Sequence, residues 1–290
     1  MAVILFINLK GGVAKTTNAV AVAECLASMG KRTLLIDADH QCMAGELLLG
    51  EEGQMRSEKR RTTLHDLLAA MLDDEFSARQ FNAFLQPAVS APMVEGEPPT
   101  LMVLPCSSRI EDFSTNMAKA KKGYHDTAAF HGQLAKRKAY LRKWLDESFD
   151  YTLIDCPPSM ALQVRTLMSV ADSYVIPCVP DRLAVRGAFA LMDRIRQARH
   201  RIQPLGTLWS MYRVQVSLHK KIVIHAAQRQ APLDVLPEPF FTVIPNATKI
   251  AESAEPEMAH LDFRQKYSPQ IAQLYEKLCL EILERLGRNP

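Results

Sequence analysis

Short apolar runs alternate along the chain with longer segments whose apolar residues recur at helical spacing. The runs typical of strands are residues 2–8, 33–37, 101–105, 151–155, 173–178, 206–212 and 240–244. The segments predicted to be helical are residues 16–29, 64–72, 134–147, 182–202, 218–229 and 267–287. Alternating strands and helices favour an α/β fold with a doubly wound, mostly parallel sheet and helices on both faces.

Two stretches interrupt this alternation. Residues 50–63 carry paired like charges and residues 86–100 are rich in proline and glycine, so both are predicted to be surface loops. No internal repeat, low-complexity tract or domain boundary is evident in the 290 residues, of which 48% are hydrophobic and 23% charged. These values are ordinary for a globular protein, and we expect a single domain over residues 1–290.

The location of the protein is predicted from its apolar segments and its cysteines. No run reaches the roughly 18 consecutive apolar residues that indicate a membrane-spanning helix. The first run lacks the positive flank and the small-residue cleavage site of a signal peptide, so a cytoplasmic protein is expected. The six cysteines lie far apart without a C-x-x-C pair, which indicates reduced, mostly buried thiols.

The first predicted strand leads directly into the segment Lys10-Gly11-Gly12-Val13-Ala14-Lys15-Thr16-Thr17, and a predicted helix follows. The two glycines let successive backbone N–H groups approach an anion, which also faces the positive end of the helix. Lys15 and Thr16 match the end of the pattern G-x-x-x-x-G-K-[ST], in which the lysine contacts phosphates and the hydroxyl binds Mg²⁺. Leu9 and Ala14 stand at its two glycine positions. Residues 10–17 are therefore predicted to bind a nucleoside triphosphate.

Carboxylates follow two later strands. Residues 33–36 lead into Asp37-Ala38-Asp39, and residues 151–154 lead into Asp155. The carboxyl ends of parallel strands form the ligand-binding edge of such a sheet, where Mg²⁺ bridging phosphates needs oxygen ligands. Asp155 is thus predicted to be the Walker B carboxylate that contacts the metal directly or through water. For Asp37 the alternative is that it caps the following turn.

These segments resemble the ParA/MinD-type ATPases of the SIMIBI class of P-loop NTPases, whose deviant Walker A loop reads K-G-G-x-x-K-[ST]-[ST]. The family segments D-x-D-P-Q and I-D-x-P-P-S correspond to Asp37-Ala38-Asp39-His40-Gln41 and Ile154-Asp155-Cys156-Pro157-Pro158-Ser159, with His40 in place of proline. Glycine is usual in the family at the position of Ala14, where a positive φ would penalise alanine unless the residue is already helical. The resemblance is closest to ParA/Soj partitioning proteins and extends through most of the chain.

The resemblance implies ATP and Mg²⁺ as cofactors and a weak, Mg²⁺-dependent ATP hydrolase activity. It implies that Asp39 positions the attacking water, that Asp37 supports the metal shell, and that Lys10 reaches the other subunit's nucleotide in an ATP-dependent sandwich homodimer. Such a lysine makes hydrolysis depend on dimerisation, because positive charge and positioning catalyse phosphoryl transfer. The implied catalytic residues are Lys10, Lys15 and Asp39, and the implied metal site is Thr16, Asp37, Asp39 and Asp155. A weaker match at residues 243–246 places the adenine near Met211, Pro245 and Asn246.

Basic residues cluster late in the chain, although a net charge of +3 and a pI near 8.5 do not by themselves indicate nucleic-acid binding. At helical spacing the arginines do not share one stripe, so a solvated basic helix is the alternative. The resemblance implies non-specific DNA binding by the ATP dimer, association with the nucleoid, and a ParB-like or adaptor protein that activates hydrolysis. The candidate DNA-binding residues are Arg182, Arg186, Arg194, Arg196, Arg199, Arg201, Lys220 and Lys221. A second basic group at residues 119–143 could equally bind DNA or a partner protein. It ranks below the first group because nothing in the sequence fixes the face on which it lies.

Other classes of protein share parts of this pattern. A MinD-like positioning ATPase on a membrane or scaffold would need a basic amphipathic tail, whereas residues 267–287 interleave acids and apolar residues as a core-packed helix does, so no stable membrane anchor is expected. An iron-protein-like electron donor would need paired cluster cysteines. An ATP-dependent ligase would not require Lys10. A binding module without catalysis would require that Ala14 or His40 disables hydrolysis.

Overall fold

The computed structural model describes residues 1–73, 76–90, 100–124, 126–198 and 201–288. Seven strands in these residues form one sheet: β1 Ala2–Phe6, β2 Thr33–Asp37, β3 Gln86–Pro87, β4 Leu101–Leu104, β5 Tyr151–Asp155, β6 Ser173–Cys178 and β7 Gln203–Trp209. Their order is β3-β4-β2-β5-β1-β6-β7, and β3 alone among them runs antiparallel to its neighbour. The carboxyl ends of the other six strands therefore share one edge.

The central strands are buried on both faces, as expected for a parallel sheet covered by helices. In β1, Val3 and Leu5 belong to the core on one face, and Ile4 and Phe6 to the core on the other. This alternation makes the first strand continuously apolar. The register of β2 and β5 pairs Asp37 with Asp155, so two of the predicted metal-site carboxylates lie on neighbouring strands.

Helices cover both faces of the sheet. Those in the described residues are α1 Lys15–Ser28, α2 Met43–Arg60, α3 Leu64–Ala70, α4 Phe113–Lys122, α5 Thr127–Ser148, α6 Leu162–Met168, α7 Arg182–Gln197, α8 Ser217–Ala227, α9 Thr248–Glu252, α10 Phe263–Lys266 and α11 Pro269–Arg288. Helices α3 to α8 contribute buried residues to one core, whereas α1, α9, α10 and α11 contribute to the other. The doubly wound α/β architecture predicted from the alternation is confirmed.

A buried polar cluster attaches α1 to the C-terminal helices. The Lys266 ammonium donates to Glu24 at 2.9 Å, and the Tyr267 hydroxyl donates to the other oxygen of Glu24 at 3.3 Å. Attraction and hydrogen bonds must offset the desolvation of such a buried ion pair. Helix α11 packs its apolar face on the core, as predicted for residues 267–287. In the described residues, no helix has the length and apolarity needed to cross a membrane.

Two predicted elements are wrong. Residues 50–60, placed in a predicted loop, belong to α2, which bends at Gly50, where φ is 69°. The charged residues there occupy the solvated side of the helix, while Gln54 is buried and donates to the Cys106 carbonyl at 2.9 Å. Residues 240–244, predicted as a strand, are irregular and flanked by isolated bridges to Pro239 and Pro245. The N–H groups of Phe240 and Ile244 still donate to carbonyls of β7. Those of Phe241 and Thr242 donate to the Glu281 carboxylate instead, which interrupts a regular ladder.

Other boundaries shift. The predicted helix 182–202 ends at Gln197, and the predicted strand 206–212 is displaced toward the N-terminus as β7. Residues 86–87, predicted as loop, add the short antiparallel strand β3. The six cysteines are free and buried, as predicted.

Candidate functional site

The loop between β1 and α1 has the backbone that anion binding requires. Gly12 and Ala14 adopt left-handed conformations, with φ of 69° and 61°. A Cβ built on Gly11 or Gly12 would meet nothing within 4 Å, so the rim of the loop is open. Residues 10–14 thus lead directly into α1, which begins at Lys15. The N–H groups at the start of this helix and its dipole attract anions.

Two buried asparagines hold this loop in place. Asn8 donates to the Pro177 carbonyl at 2.8 Å and accepts from the Lys10 N–H at 3.0 Å. Asn18 donates to the Ala14 carbonyl at 2.7 Å and to the Ser210 hydroxyl at 2.8 Å. A buried polar group needs such partners. The start of the loop is therefore tied to β6, and its end to the segment after β7.

The two loop lysines have different environments. Lys15 is buried, with its ammonium 3.4 Å from the Lys10 carbonyl, whereas Lys10 is exposed and donates to the Gly11 carbonyl at 3.0 Å. Burial lowers the pKa of Lys15, and the nearby Asp155 and Asp39 oppose this shift. A bound phosphate would oppose it further, because an anion favours the charged ammonium. Lys15 is thus suited to the bound anion, and Lys10 is free to contact a second molecule.

Asp155 lies beside the first turn of α1. Its Oδ2 accepts from the Thr16 hydroxyl at 2.7 Å, whereas its Oδ1 is buried without a hydrogen-bond partner. Burial and then the neighbouring Asp37 raise the pKa of Asp155. An orphaned carboxylate oxygen next to a hydroxyl is a suitable donor set for a divalent cation or its bound water. The predicted pair Thr16 and Asp155 fits Mg²⁺ on this observation.

Asp37 anchors the turn after β2. One carboxylate oxygen accepts from the Asp39 N–H and the other from the Gly45 N–H, each at 3.0 Å. The turn-capping role considered for Asp37 is therefore present, and a role in the metal shell stays a prediction. Burial raises the pKa of Asp37 to about 7 despite these two donors.

Asp39 is partly accessible at the same edge. Its Oδ1 accepts from the Gln41 N–H at 3.1 Å and lies 3.2 Å from Nδ1 of His40, the residue that replaces the family's proline. In the residues that the structure describes, no three His, Cys, Asp or Glu side chains form a group that could hold a metal ion by themselves. A cation there would need further oxygens, for which Thr16 and nucleotide phosphates are suitable.

The residues predicted near the adenine flank a cavity of about 580 Å³ after β7. Pro245 and Asn246 line it together with Arg213, and Met211 lies just before it with a left-handed φ of 52°. The Asn246 amide is assigned with its oxygen toward Arg213, where it accepts from Nε at 2.7 Å and from Nη2 at 2.9 Å. In this orientation the amide nitrogen, a donor, is turned away from Arg213. The Asn18–Ser210 hydrogen bond ties this segment to the phosphate loop.

The predicted DNA-binding residues that the structure describes are all exposed. Seven are described, Arg182, Arg186, Arg194, Arg196, Arg201, Lys220 and Lys221, whereas Arg199 lies outside the described residues. Helix α7 starts after the carboxyl end of β6 and extends roughly 24 Å at 1.5 Å per residue. Its arginines therefore begin near the phosphate loop and end near the opposite sheet edge, where Arg201 lies beside Ala2 and Gln203 in a second cavity. Arg196 also pairs with Asp193 at 3.0 Å.

Sequence reasoning missed several residues that hold the site. Asn8 lies at the end of an apolar strand and Asn18 inside an apolar helix, and both are buried. A polar residue within an apolar segment was therefore the available sequence signal in both cases. Gly187 lies inside α7, and an isolated glycine in a helix often marks close packing. Arg213 had no sequence signal beyond its charge.

Comparison with known proteins places this site in context. Residues 1–205 match the family described as AAA domain. The chain is 28% identical over 296 residues to the chromosome partitioning protein ParA of Caulobacter vibrioides, covering 98% of this chain and 95% of that protein.

Solved structures show the same fold at lower identity. A variant of McdA from Cyanothece in complex with ATP superimposes with a TM-score of 0.71 at 18% identity, covering 99% of this chain and 96% of that one. The septum site-determining protein MinD of Pyrococcus horikoshii, complexed with Mg-ADP, gives a TM-score of 0.64 at 20% identity, covering 100% and 98%. The doubly wound sheet is common to these three chains.

Replacing Ala14 by glycine should stabilise the nucleotide-free protein. A left-handed backbone costs alanine roughly 1–2 kcal/mol, and glycine returns part of this as unfolded-chain entropy, which leaves a gain of roughly 0.5–1 kcal/mol in the free energy of unfolding. Urea denaturation measures it. The control Ala139→Gly, at an exposed position inside α5, should lose about 1 kcal/mol. An equal loss in Ala14→Gly would contradict a left-handed residue 14.

The buried Asp37 should make stability depend on pH. Because its pKa of about 7 in the folded protein exceeds that of an exposed aspartate, about 3.9, the folded state retains a proton that the unfolded chain releases. The resulting stability is complete below pH 4 and is lost as the pH rises to about 7. Between pH 5 and pH 8, without Mg²⁺ or nucleotide, the wild type should therefore lose more free energy of unfolding than Asp37→Asn. Equal losses would show that Asp37 does not bind this proton.

Proposed function

Because the chain belongs to the AAA domain family and is a P-loop ATPase of the ParA/MinD type, we propose that it is a ParA-like partitioning ATPase. ATP and Mg²⁺ close a homodimer, the dimer binds DNA without sequence preference, and a ParB-like or adaptor protein stimulates the hydrolysis that releases it. The observation that carries the proposal is the pairing of a buried Lys15 with an exposed Lys10 on one phosphate loop. The whole chain, residues 1–290, acts as one ATPase domain.

The phosphate loop binds the triphosphate of ATP. The backbone N–H groups of residues 11–17 and the Lys15 ammonium surround the phosphates. Mg²⁺, when bound, neutralises charge on the phosphate oxygens. Thr16 and Asp155 hold it, and Asp39 orients the attacking water from the partly accessible edge. The base lies in the cavity beside Pro245 and Asn246, whose amide is kept in the donor orientation by Arg213.

The exposed Lys10 completes the site of the second subunit. Its ammonium contacts only a carbonyl of its own loop among the hydrogen bonds of the described residues, so it moves at little energetic cost. A cation that arrives at the phosphates only in the dimer supplies charge where the transition state needs it. ATP hydrolysis then depends on dimerisation.

DNA binding is assigned to the predicted basic residues of segment 182–201 together with Lys220 and Lys221. No single stripe holds them, but non-specific binding needs only several phosphate contacts spread over a surface. The identification of the full-length Caulobacter relative as a chromosome partitioning protein supports this role. We place the ATP-bound protein on the nucleoid.

Substitution of the two loop lysines should separate binding from hydrolysis. Lys15→Ala should abolish ATP binding, because the buried cation facing the phosphates is lost. Lys10→Ala should bind ATP yet lose hydrolysis or dimerisation, and Asp39→Ala should hold ATP without hydrolysing it. Lys277→Ala, at an exposed site on α11, is the control. Equal ATPase rates of the wild type and Lys10→Ala at saturating ATP would remove the cross-interface role, and normal hydrolysis by Asp39→Ala would reject Asp39 as the water-positioning residue.

Binding to random-sequence duplex DNA, titrated with salt, tests the function itself. With Mg²⁺ and ATP, we expect tight and salt-sensitive binding, and with ADP or without nucleotide only weak residual binding. The double variant Lys220→Ala with Lys221→Ala should reduce the salt slope by roughly 1–2 units. The matched control is Lys59→Ala with Arg60→Ala at the exposed end of α2, outside both basic groups. No DNA binding in any nucleotide state, with hydrolysis intact, would reject the partitioning role.

A further inference from the structure

The backbone of α7 directly contacts the start of the phosphate loop at Gly187. A Cβ built on this residue would lie 2.7 Å from Oδ1 of Asn8, 3.0 Å from Cβ of Lys10 and 3.1 Å from its backbone nitrogen. A side chain at this position would require the Asn8 amide to shift and the Lys10 backbone to give way by a few tenths of an ångström. A glycine inside a helix costs roughly 0.5–1 kcal/mol relative to alanine. At Gly187 the absence of a Cβ permits close contact between the helix backbone and the loop, and the lower helix propensity of glycine is the cost.

The other side of the same loop segment is equally constrained. The Asn8 amide accepts from the Lys10 N–H and donates to the Pro177 carbonyl in β6. Four residues after that carbonyl, Asp181 caps α7 by accepting from the Ala184 N–H at 2.8 Å. The end of β6, the start of α7 and the backbone of Lys10 therefore form one packed unit around the buried Asn8 side chain, which is held at both its amide nitrogen and its amide oxygen.

We propose that Gly187 is a positioning residue through which the nucleotide state of the loop reaches the arginine-bearing surface of α7. The inference rests on the proposed function, since it concerns how ATP controls DNA binding. A packed contact transmits a displacement of the Lys10 backbone, because interiors have few voids to absorb it. Arg186 adjoins Gly187, and Arg182 lies one turn earlier, so both arginines move with the helix.

The proposed coupling between ATP binding and DNA binding acts in both directions. Two sites that share one coupling free energy influence each other equally, so DNA held on α7 should raise the affinity for ATP by the factor by which ATP raises the affinity for DNA. A residue that merely stabilises the fold would lower both affinities without changing this factor. The factor is therefore the quantity that distinguishes positioning from general stability.

The variant Gly187→Ala tests the proposal, with Gly132→Ala as its matched control. Gly132 lies in α5, and a Cβ built there meets nothing within 4 Å. We expect the ratio of DNA affinities with ATP and with ADP to fall on the order of tenfold in Gly187→Ala, a typical coupling strength, and to stay at the wild-type value in Gly132→Ala. Equal ratios in the wild type and both variants would overturn the inference and leave the proposed function standing. A wild type whose DNA affinity is independent of ATP would overturn both.

A second measurement needs no substitution and so does not depend on folding of the variant. Backbone hydrogen exchange of the wild type should change across residues 182–191 when ATP and Mg²⁺ replace ADP, while residues 127–148 of α5 serve as the internal reference. Unchanged exchange in 182–191, at ATP concentrations that do raise DNA affinity, would show that α7 does not carry the signal.

Discussion

The structure depends on one constraint: the backbone of residues 8–15 must stay open to an anion while its own buried polar groups remain satisfied. Left-handed conformations at Gly12 and Ala14 turn the loop, and the amides of Asn8 and Asn18 provide the partners that a buried backbone needs. These two side chains reach in different directions, to β6 and to the segment after β7. The loop is thus attached to the sheet at both ends, and the surrounding elements are positioned relative to it.

The charges around the loop explain why an anion completes the site. Lys15, Asp37 and Asp155 are all buried. Burial lowers the pKa of Lys15 and raises the pKa values of the two aspartates, which in each case favours the neutral side chain. In the proposed complex, a triphosphate would supply opposite charge to Lys15, and a divalent cation would supply it to the two carboxylates. Groups that are costly to bury without a ligand would then be paired, which would couple ligand binding to the order of this sheet edge.

Much of this arrangement was predictable from the sequence because local chemistry dictates it. The apolar runs located six of the seven strands, and glycines next to Lys15 and Thr16 located the phosphate loop. Sequence-based prediction was wrong where distant residues decided the local structure, as in α2, whose Gln54 is buried against Cys106, and in segment 240–244, whose N–H groups partly donate to Glu281. Asn8, Asn18 and Gly187 could not be assigned roles beforehand, because their partners lie about 170–190 residues away in the chain or across a helix–loop contact. Alanine at position 14 retains a backbone that usually requires glycine.

In the proposed function, the phosphate loop converts ATP binding into the association of two chains. Light scattering of the purified Asp39→Ala variant with Mg²⁺ measures it directly, because ATP then persists during the experiment. We expect a molar mass about twice the 32.5 kDa of the chain with ATP, and the single-chain mass with ADP. A single-chain mass in both nucleotides, at concentrations where ATP is demonstrably bound, would contradict it.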